Sequence, residues 1–480
     1  MREHLRPKTL PNRTSPWLTV DEEREDRQAA AEAHLAVLRT QLPDLMARFA
    51  RIPDPRRPKS VRHRLTVVLL YGVILFCFEM ASRREANREL SRPGLWEALG
   101  AAFPDLDSIP HGDTLERVLE RIDPGEIEAA LMARMRTLLR RQKLQALMVD
   151  KGYVVAFDGT QLWMRTTPFA PQALHAKHGD QVHDSAYVLK AMVVCPEGVT
   201  LPLGAEFCEN AVIPTGQTIS ETLKQDCELK AFKRLCARLK EAFPRLRMMI
   251  VADGLYACGP VVKMCRRYGW DLMLVLKDGK LPQVWEEARK LHRLDEQRST
   301  VVHRCRGREQ KFWWANGVDY EFQDGTRWCA ITVNVVVCEE RWTETKVDSE
   351  GQQTKDEKTA RHAWLSGRSL NAQNVHRRCN LAGRHRWDIE LAIREEKHGA
   401  HIVHAYSLDW RAIKGWYYLM LLASLINTLA LYSTRLWRWV TEYGVRATIE
   451  FLWATYSGRW LDLDRLRVAA RRPPQLRLTV

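Results

Sequence analysis

Between residues 149 and 276 the chain alternates short apolar runs with amphipathic segments, and this alternation limits its possible folds more than any other feature. Short apolar runs bounded by turn residues are typical of buried strands, whereas the amphipathic segments repeat with the period of a helix. Strands interleaved with helices pack as a sheet that helices cover. The alternation therefore predicts an α/β fold built on a mixed sheet.

The same pattern predicts the individual elements of this sheet. Strands are expected at 154–157, 186–194, 199–207, 248–252 and 271–276, with helices at 227–243 and 259–268. After residue 280 apolar and polar residues alternate, which predicts an antiparallel β-rich insertion with turns at Asn316-Gly317 and Asp324-Gly325. The polar segment 343–359 is expected to be an exposed loop.

Helical patterns occupy both ends of the chain, and we predict five segments in all. They are a helical domain at 1–148, the first part of the core at 149–280, the β-rich insertion at 281–375, the second part of the core at 376–435 and a helical basic region at 436–480. The apolar runs at 65–78 and 416–432 fall short of the roughly 20 apolar residues that a membrane-spanning helix needs. We interpret both as buried helices and expect no membrane association.

The cysteines and the N-terminus indicate a compartment. The chain has 11 cysteines, an odd count, and none of them form a Cys-x-x-Cys pair. The first residues contain no apolar signal core. We therefore expect free thiols in a reducing cytoplasm and no zinc ribbon or finger.

The charge balance indicates the kind of partner. Lys and Arg number 74 and Asp and Glu number 59, which gives a net charge of +15 and favours a polyanion such as nucleic acid. One basic cluster at 48–64 includes Arg56, Arg57 and Lys59, and further excess positive charge follows residue 371. Each region alone is consistent with a solvated surface, but together they favour phosphate contacts.

Two aspartates are candidates for chemistry because of their positions. Asp158 and Asp253 each follow a predicted buried strand and each precede a glycine. Ligands and metals gather at strand ends in α/β sheets, and a hard divalent cation relieves the repulsion between two close carboxylates. The alternative is that each is an ordinary turn residue, because Asp-Gly is a common turn pair.

A third carboxylate lies on a predicted helix at 384–397. At 100° per residue, Arg386, Glu390 and Lys397 lie within about 40° of one another, so one face presents cation, carboxylate and cation. Leu391 lies off this face and is expected to pack inward. The alternative is a surface helix with ordinary charge pairs.

Together these residues resemble the DDE transposases of bacterial insertion sequences, which have an RNase H-like core. The resemblance is narrower still to the class with the helix signature Tyr-x2-Arg-x3-Glu-x6-Lys, whose last three positions correspond to Arg386, Glu390 and Lys397. The tyrosine position holds Gly383, a departure from the signature. The resemblance covers roughly residues 150–430 and includes the β-rich insertion.

The resemblance implies a mechanism and a set of partners. Asp158, Asp253 and Glu390 would be the catalytic residues and would bind two Mg²⁺ ions, which Mn²⁺ could replace. Arg386 and Lys397 would position phosphates of double-stranded DNA during cleavage and strand transfer of mobile-element ends, with hairpin ends as one route. A homodimer on DNA is expected, with the helical domain reading the element ends.

The resemblance also implies a role for an indole. Hairpin-forming members hold a flipped base against a tryptophan near the end of the insertion, and Trp364 is the nearest match by order. Trp313, Trp314 and Trp328 are alternatives, and all four could instead belong to the core of the insertion.

Other interpretations of the chain stay open. It could be an RNase H-like nuclease without strand transfer, or a non-catalytic DNA-binding derivative. Glu395 or Glu396 could replace Glu390 as the ligand, although both lie off the signature position. A zinc site could form in the segment 175–184, which contains three histidines and Asp184, although this segment reads as a polar loop.

Overall fold

The computed structural model describes residues 16–103, 105–178, 181–211, 226–347, 353–471 and 475–479. The helices are α1 Val20–Phe49, α2 Leu65–Cys77, α3 Arg83–Glu89, α4 Pro93–Ala102, α5 Gly112–Leu119, α6 Pro124–Arg140, α7 Glu228–Ala242, α8 Gly259–Tyr268, α9 Pro282–Leu294, α10 Val375–Asn380, α11 Trp387–His398, α12 Trp410–Leu431, α13 Trp437–Tyr443, α14 Val445–Ser457 and α15 Leu463–Arg471. Short 3₁₀ turns lie at Pro58–Ser60, Gln145–Leu147 and Gly383–Arg386.

The strands join into one mixed sheet. They are β1 Met148–Val149, β2 Gly152–Arg165, β3 Leu174–His178, β4 Gln181–Val194, β5 Thr200–Cys208, β6 Met248–Ala252, β7 Asp271–Val275, β8 Thr300–Cys305, β9 Arg308–Asp324, β10 Arg327–Val347 and β11 Gln353–Ser366. The order runs β3-β4-β2-β6-β7-β11-β10-β9-β8, with β5 also paired to β4 and β1 to β2. The predicted mixed α/β fold is confirmed.

The centre of the sheet combines antiparallel and parallel pairs. β2, β4 and β5 pair in antiparallel fashion, whereas β2, β6 and β7 run parallel because α7 and α8 return the chain between them. The five predicted core strands and both predicted helices are present, and β6 and α8 have the predicted bounds.

The insertion is antiparallel and β-rich, as predicted, and β9 and β10 are joined by the predicted turn at Asp324-Gly325. Three of its details differ from the prediction. It begins with a helix, α9, and its strands extend the central sheet because β11 pairs with β7, with Trp364 opposite Val275. The turn predicted at Asn316-Gly317 is wrong, since β9 continues through both residues beside a register shift in β10. The loop predicted at 343–359 is largely the paired ends of β10 and β11; residues 348–352 lie outside the described residues.

Helices cover both faces of the sheet. A large apolar core joins one face to the N-terminal and C-terminal helices, and a smaller core lies between the other face and α10 and α11. Both long apolar runs are buried helices, as predicted: α2 and α12 pack closely, with Gly72 against Leu419. Within the described ranges no helix has the length and apolarity that crossing a bilayer requires.

This packing predicts a large loss of stability from one substitution. Leu419 is fully buried between α12 and α2, so Leu419→Ala should lower the free energy of unfolding by about 2–5 kcal/mol through lost burial and a cavity. Leu294→Ala is the matched control because Leu294 is 82% exposed, and it should change little. Urea denaturation of both variants makes the measurement, and equal losses would contradict this account of the core.

Candidate active site

The two aspartates lie where the sheet opens. β6 pairs with β2 only as far as Ala156 opposite Val251, and Asp253 directly follows β6. Asp253 accepts a hydrogen bond from the backbone N–H of Leu255 at 2.8 Å, as a turn residue after a strand does. The strand-end prediction for Asp253 is therefore confirmed.

Asp158 does not end its strand, and that part of the prediction is wrong. β2 continues to Arg165 because its antiparallel pairing with β4 persists, with Asp158 opposite Lys190. The residue nevertheless lies beyond the last pair of β2 with β6. Its side chain therefore stands at an opening in the sheet even though the strand itself runs on.

Glu390 comes from α11, which packs on this face of the sheet. Ile389, Ala392 and Ile393 are buried in the smaller core, so Glu390 on the neighbouring row is left half-buried at its edge. Leu391 was expected to pack inward but is 52% exposed, because the helix buries the row that starts at Ile389. The helix therefore directs its charged row toward the opening in the sheet.

All three carboxylates line one cleft of about 660 Å³. The remaining walls come from the end of β7, from β11 and from the 3₁₀ turn before α11. They consist of Val275, Leu276, Lys277, Asp278, Arg361, His362, Ala363, Trp364, Gly383, Arg384, Arg386 and Trp387. Three segments far apart in the chain thus deliver carboxylates to a single concave site.

Burial and neighbouring charges both act on the carboxyl group of Asp158 in the cleft. The pKa of Asp158 is raised to about 6, chiefly by burial and also by the charges of Glu390, Glu228 and Asp253, while Arg386 acts to lower it. A carboxyl group whose pKa is raised by burial and by like charges is a common feature of catalytic sites.

Two cations compensate this negative charge. Arg386 Nη1 lies 2.6 Å from Glu390 Oε1, and Lys277 Nζ lies 3.3 Å from Asp253 Oδ2. The sequence pattern did not single out Lys277, although this residue lies just beyond β7, at a strand end like that of Asp253. Arg386 is almost fully buried and its Nε has no hydrogen-bond partner in the structure.

The donor chemistry of the cleft fits a hard divalent cation, because Mg²⁺ and Mn²⁺ prefer carboxylate oxygens. Among the described residues, however, no three His, Cys, Asp or Glu side chains stand close enough to share an ion. The ion pairs with Arg386 and Lys277 hold two of the three carboxylates. Metal binding would therefore require both pairs to open and the side chains to converge.

The indole of Trp364 lies close against Gly383. Trp364 is 3% exposed, and His362 stacks beside it with ring centroids 5.8 Å apart. A Cβ atom at position 383 would lie 2.9 Å from Trp364 Nε1. The indole thus fills the space that a side chain at the tyrosine position of the signature would take, and stacking of a base on Trp364 stays a prediction.

Another indole in the cleft is exposed. Trp387, the first residue of α11, is 61% exposed, and the guanidinium of Arg386 lies 4.9 Å from its ring centroid. Sequence analysis did not select Trp387 as a site residue. Its position directly after the signature arginine was the available signal.

The other predicted DNA contacts lie outside the cleft lining. Lys397 is in the last turn of α11. Lys59 is in the 3₁₀ turn at Pro58–Ser60, and Arg57 directly precedes that turn. Arg56 is held by Asp54 at 2.7 Å, which reduces its availability for phosphate. The DNA contacts of these four residues stay predictions.

The alternative metal ligands considered from the sequence, Glu395, Glu396 and the segment 175–184, lie away from the cleft. Glu396 is buried and paired with Lys190 at 2.5 Å, whereas Glu395 lines a different cavity. The segment read as a polar loop is the β3–β4 hairpin, where His175 Nδ1 lies 2.7 Å from Asp184 Oδ1. Within the described residues no metal-binding group forms there.

Comparison with known proteins relates part of the chain to transposases. Residues 46–135 match the family model described as DDE_Tnp_1-associated, which supports a DDE-type transposase. The match lies in the N-terminal helices and does not include the three carboxylates. Among curated proteins none matches this sequence.

Among solved structures, the chain aligns with the piggyBac transposase synaptic complex with hairpin DNA, determined by cryo-electron microscopy. The sequence identity is 12%, the alignment covers 91% of this chain and 82% of that chain, and the TM-score is 0.36. At this TM-score the alignment supports no inference about the function of this chain.

The raised pKa of Asp158 predicts a pH-dependent effect of its removal. A carboxyl group whose pKa is higher in the folded protein than in the unfolded chain stabilises the fold most below its unfolded pKa, near 4. This contribution to the free energy of unfolding is lost as the pH rises through about 6. Asp158→Asn should therefore raise the free energy of unfolding at pH 7.5 by on the order of 2 kcal/mol, with no gain at pH 4.

Urea denaturation in EDTA at the two pH values measures this difference. Asp278→Asn is the matched control, because Asp278 lines the same cleft but forms an exposed pair with Arg361 at 2.7 Å. A gain for Asp158→Asn that is the same at both pH values would contradict the electrostatic explanation.

Proposed function

We propose that this chain is a DDE transposase that cleaves mobile-element ends and joins them to target DNA. In this proposal β2, β4, β5, β6 and β7 are its RNase H-like core, and Asp158, Asp253 and Glu390 are its catalytic residues. The observation that carries the proposal is the meeting of these three carboxylates, from three separate segments, in one cleft with basic walls. The family match at residues 46–135 supports a transposase independently of the cleft, although it does not include these three carboxylates.

The three carboxylates would hold two Mg²⁺ ions, or Mn²⁺ in their place. When bound, such a pair activates the attacking oxygen and stabilises the leaving oxygen of a phosphodiester. Arg386 would release Glu390 as the ions enter and would then be free to contact a phosphate. Lys277 would be released from Asp253 in the same way. In this proposal the two ion pairs would hold the side chains of Glu390 and Asp253 in place in the absence of metal.

The basic walls of the cleft suggest how DNA would lie. Arg361 on β11 and Arg384 in the 3₁₀ turn line the cleft together with the three carboxylates. Their guanidinium groups would contact the DNA backbone on the insertion side, while Lys397 and the basic cluster at 48–64 would contact DNA farther away. A homodimer that pairs two element ends is the expected assembly.

The decisive test is cleavage and strand transfer by single-residue variants. With Mg²⁺ or Mn²⁺ and DNA fragments from both flanks of the coding region, the wild-type chain should cut and join. Asp253→Asn should lower the cleavage rate by roughly 10³-fold or more. A loss of this size is expected when a ligand of a charge-stabilising metal ion is removed. Gel analysis of labelled ends measures both reactions.

Glu395→Gln is the matched control for Glu390→Gln, since both residues lie on α11 but only Glu390 lines the cleft. The control should retain activity. Cleavage without joining would identify a nuclease instead. Cleavage that survives Asp253→Asn would refute the catalytic assignment, and DNA binding without any cleavage would indicate a non-catalytic derivative.

The exposed indole predicts a base-stacking contact. Trp387→Ala should weaken binding of a DNA end roughly 10-fold, because stacking of one base on an aromatic ring contributes about 1–3 kcal/mol. Quenching of 2-aminopurine placed near the cleavage site, measured in Ca²⁺, reports the stacking directly. Trp328→Ala is the control, since Trp328 is also exposed but does not line the cleft. Loss of quenching in Trp364→Phe alone would instead identify Trp364 as the stacking residue.

A further inference from the structure

A buried ion pair joins α11 to the central sheet. Lys190 on β4 is 1% exposed, and its Nζ lies 2.5 Å from each carboxylate oxygen of Glu396. Glu396 is also buried, in the second half of α11. Burying two charges is costly, and a pair of this kind often fixes register rather than adding stability.

The interface around the ion pair is apolar. Ile389, Ala392 and Ile393 of α11 belong to the same small core as the apolar side chains of β2 and β4, which are Val154, Ala156, Met192 and Val194. Contacts among such side chains are non-directional, so they favour burial without selecting one rotation or translation of the helix. The ion pair is directional and does select one.

The pair of Lys190 and Glu396 lies beside Asp158, a proposed metal ligand, on the sheet. Lys190 lies directly opposite Asp158 in the β2–β4 register, and directly opposed residues point to the same face of a sheet. Glu396 lies six residues after Glu390 on α11, about 9 Å along the helix axis. The cross-strand pair therefore consists of Asp158, a carboxylate of the cleft, and Lys190, which anchors α11. The same helix supplies Glu390 to the cleft.

We propose that Lys190 and Glu396 are positioning residues that fix α11 on the sheet so that Glu390 reaches the cleft beside Asp158. The inference rests on the proposed function, because it assumes that these carboxylates bind divalent metal. Neither residue contacts the reacting atoms. Their effect passes through the register of the helix, as outer-shell contacts tune a metal site through its ligands.

The test separates positioning from stability. Lys190→Met alone leaves Glu396 buried and unpaired, so it should lower the melting temperature strongly. The double variant Lys190→Met/Glu396→Leu replaces the pair with apolar side chains of similar size and should restore the melting temperature. Its Mn²⁺ affinity, measured by titration calorimetry on the full chain, should nevertheless fall about 10-fold or more. Where the single variant does not fold, the double variant alone carries the test.

Arg134→Met provides the matched control. Arg134 is a buried cation of the helical region, where it contacts Gln41 and Asp44. Its replacement should lower the melting temperature without changing the Mn²⁺ affinity. A double variant with wild-type melting temperature and wild-type Mn²⁺ affinity overturns the inference while the proposed function stands. If the wild-type chain binds no Mn²⁺, or if Asp253→Asn leaves its Mn²⁺ binding unchanged, both the inference and the proposed function are overturned.

Discussion

Repulsion among three carboxylates is the constraint on which the cleft depends. Asp158 is partly removed from water and faces the charges of Glu390 and Asp253, so its ionisation is costly. Arg386 and Lys277 reduce that cost by pairing with the other two. The site is therefore balanced by its own cations, and divalent ions would exchange with those cations rather than enter a preformed cage.

Unequal strand lengths create the opening that holds these charges. β6 stops at Ala252, while β2 continues to Arg165 along β4. Beyond the end of β6, the side chain of Asp158 has no parallel neighbour beside it, and α11 covers the gap with Glu390. The cleft is thus a property of the sheet edge and of one helix, whose orientation the pair of Lys190 and Glu396 restrains.

Local patterns in the sequence were sufficient for the central sheet, because buried strands and amphipathic helices carry their period in the chain. They also selected Asp253 and Glu390 through strand-end and helical-face arguments. They misjudged the end of β2, since pairing with β4 is a long-range contact that local apolarity does not report. They also misjudged Leu391, because the rotation of α11 is set by tertiary packing and not by the period alone.

The insertion is coupled to the cleft through two contacts that no local pattern reports. Trp364 on β11 occupies the space next to Gly383. The buried carboxylate of Glu340 on β10 pairs with Arg384, the residue that follows Gly383. Both contacts hold the 3₁₀ turn that leads into α11. A side chain at position 383 would have to displace the indole, because a Cβ atom there would lie 2.9 Å from Trp364 Nε1. The two contacts tie the strands of the insertion to the helix that carries Glu390.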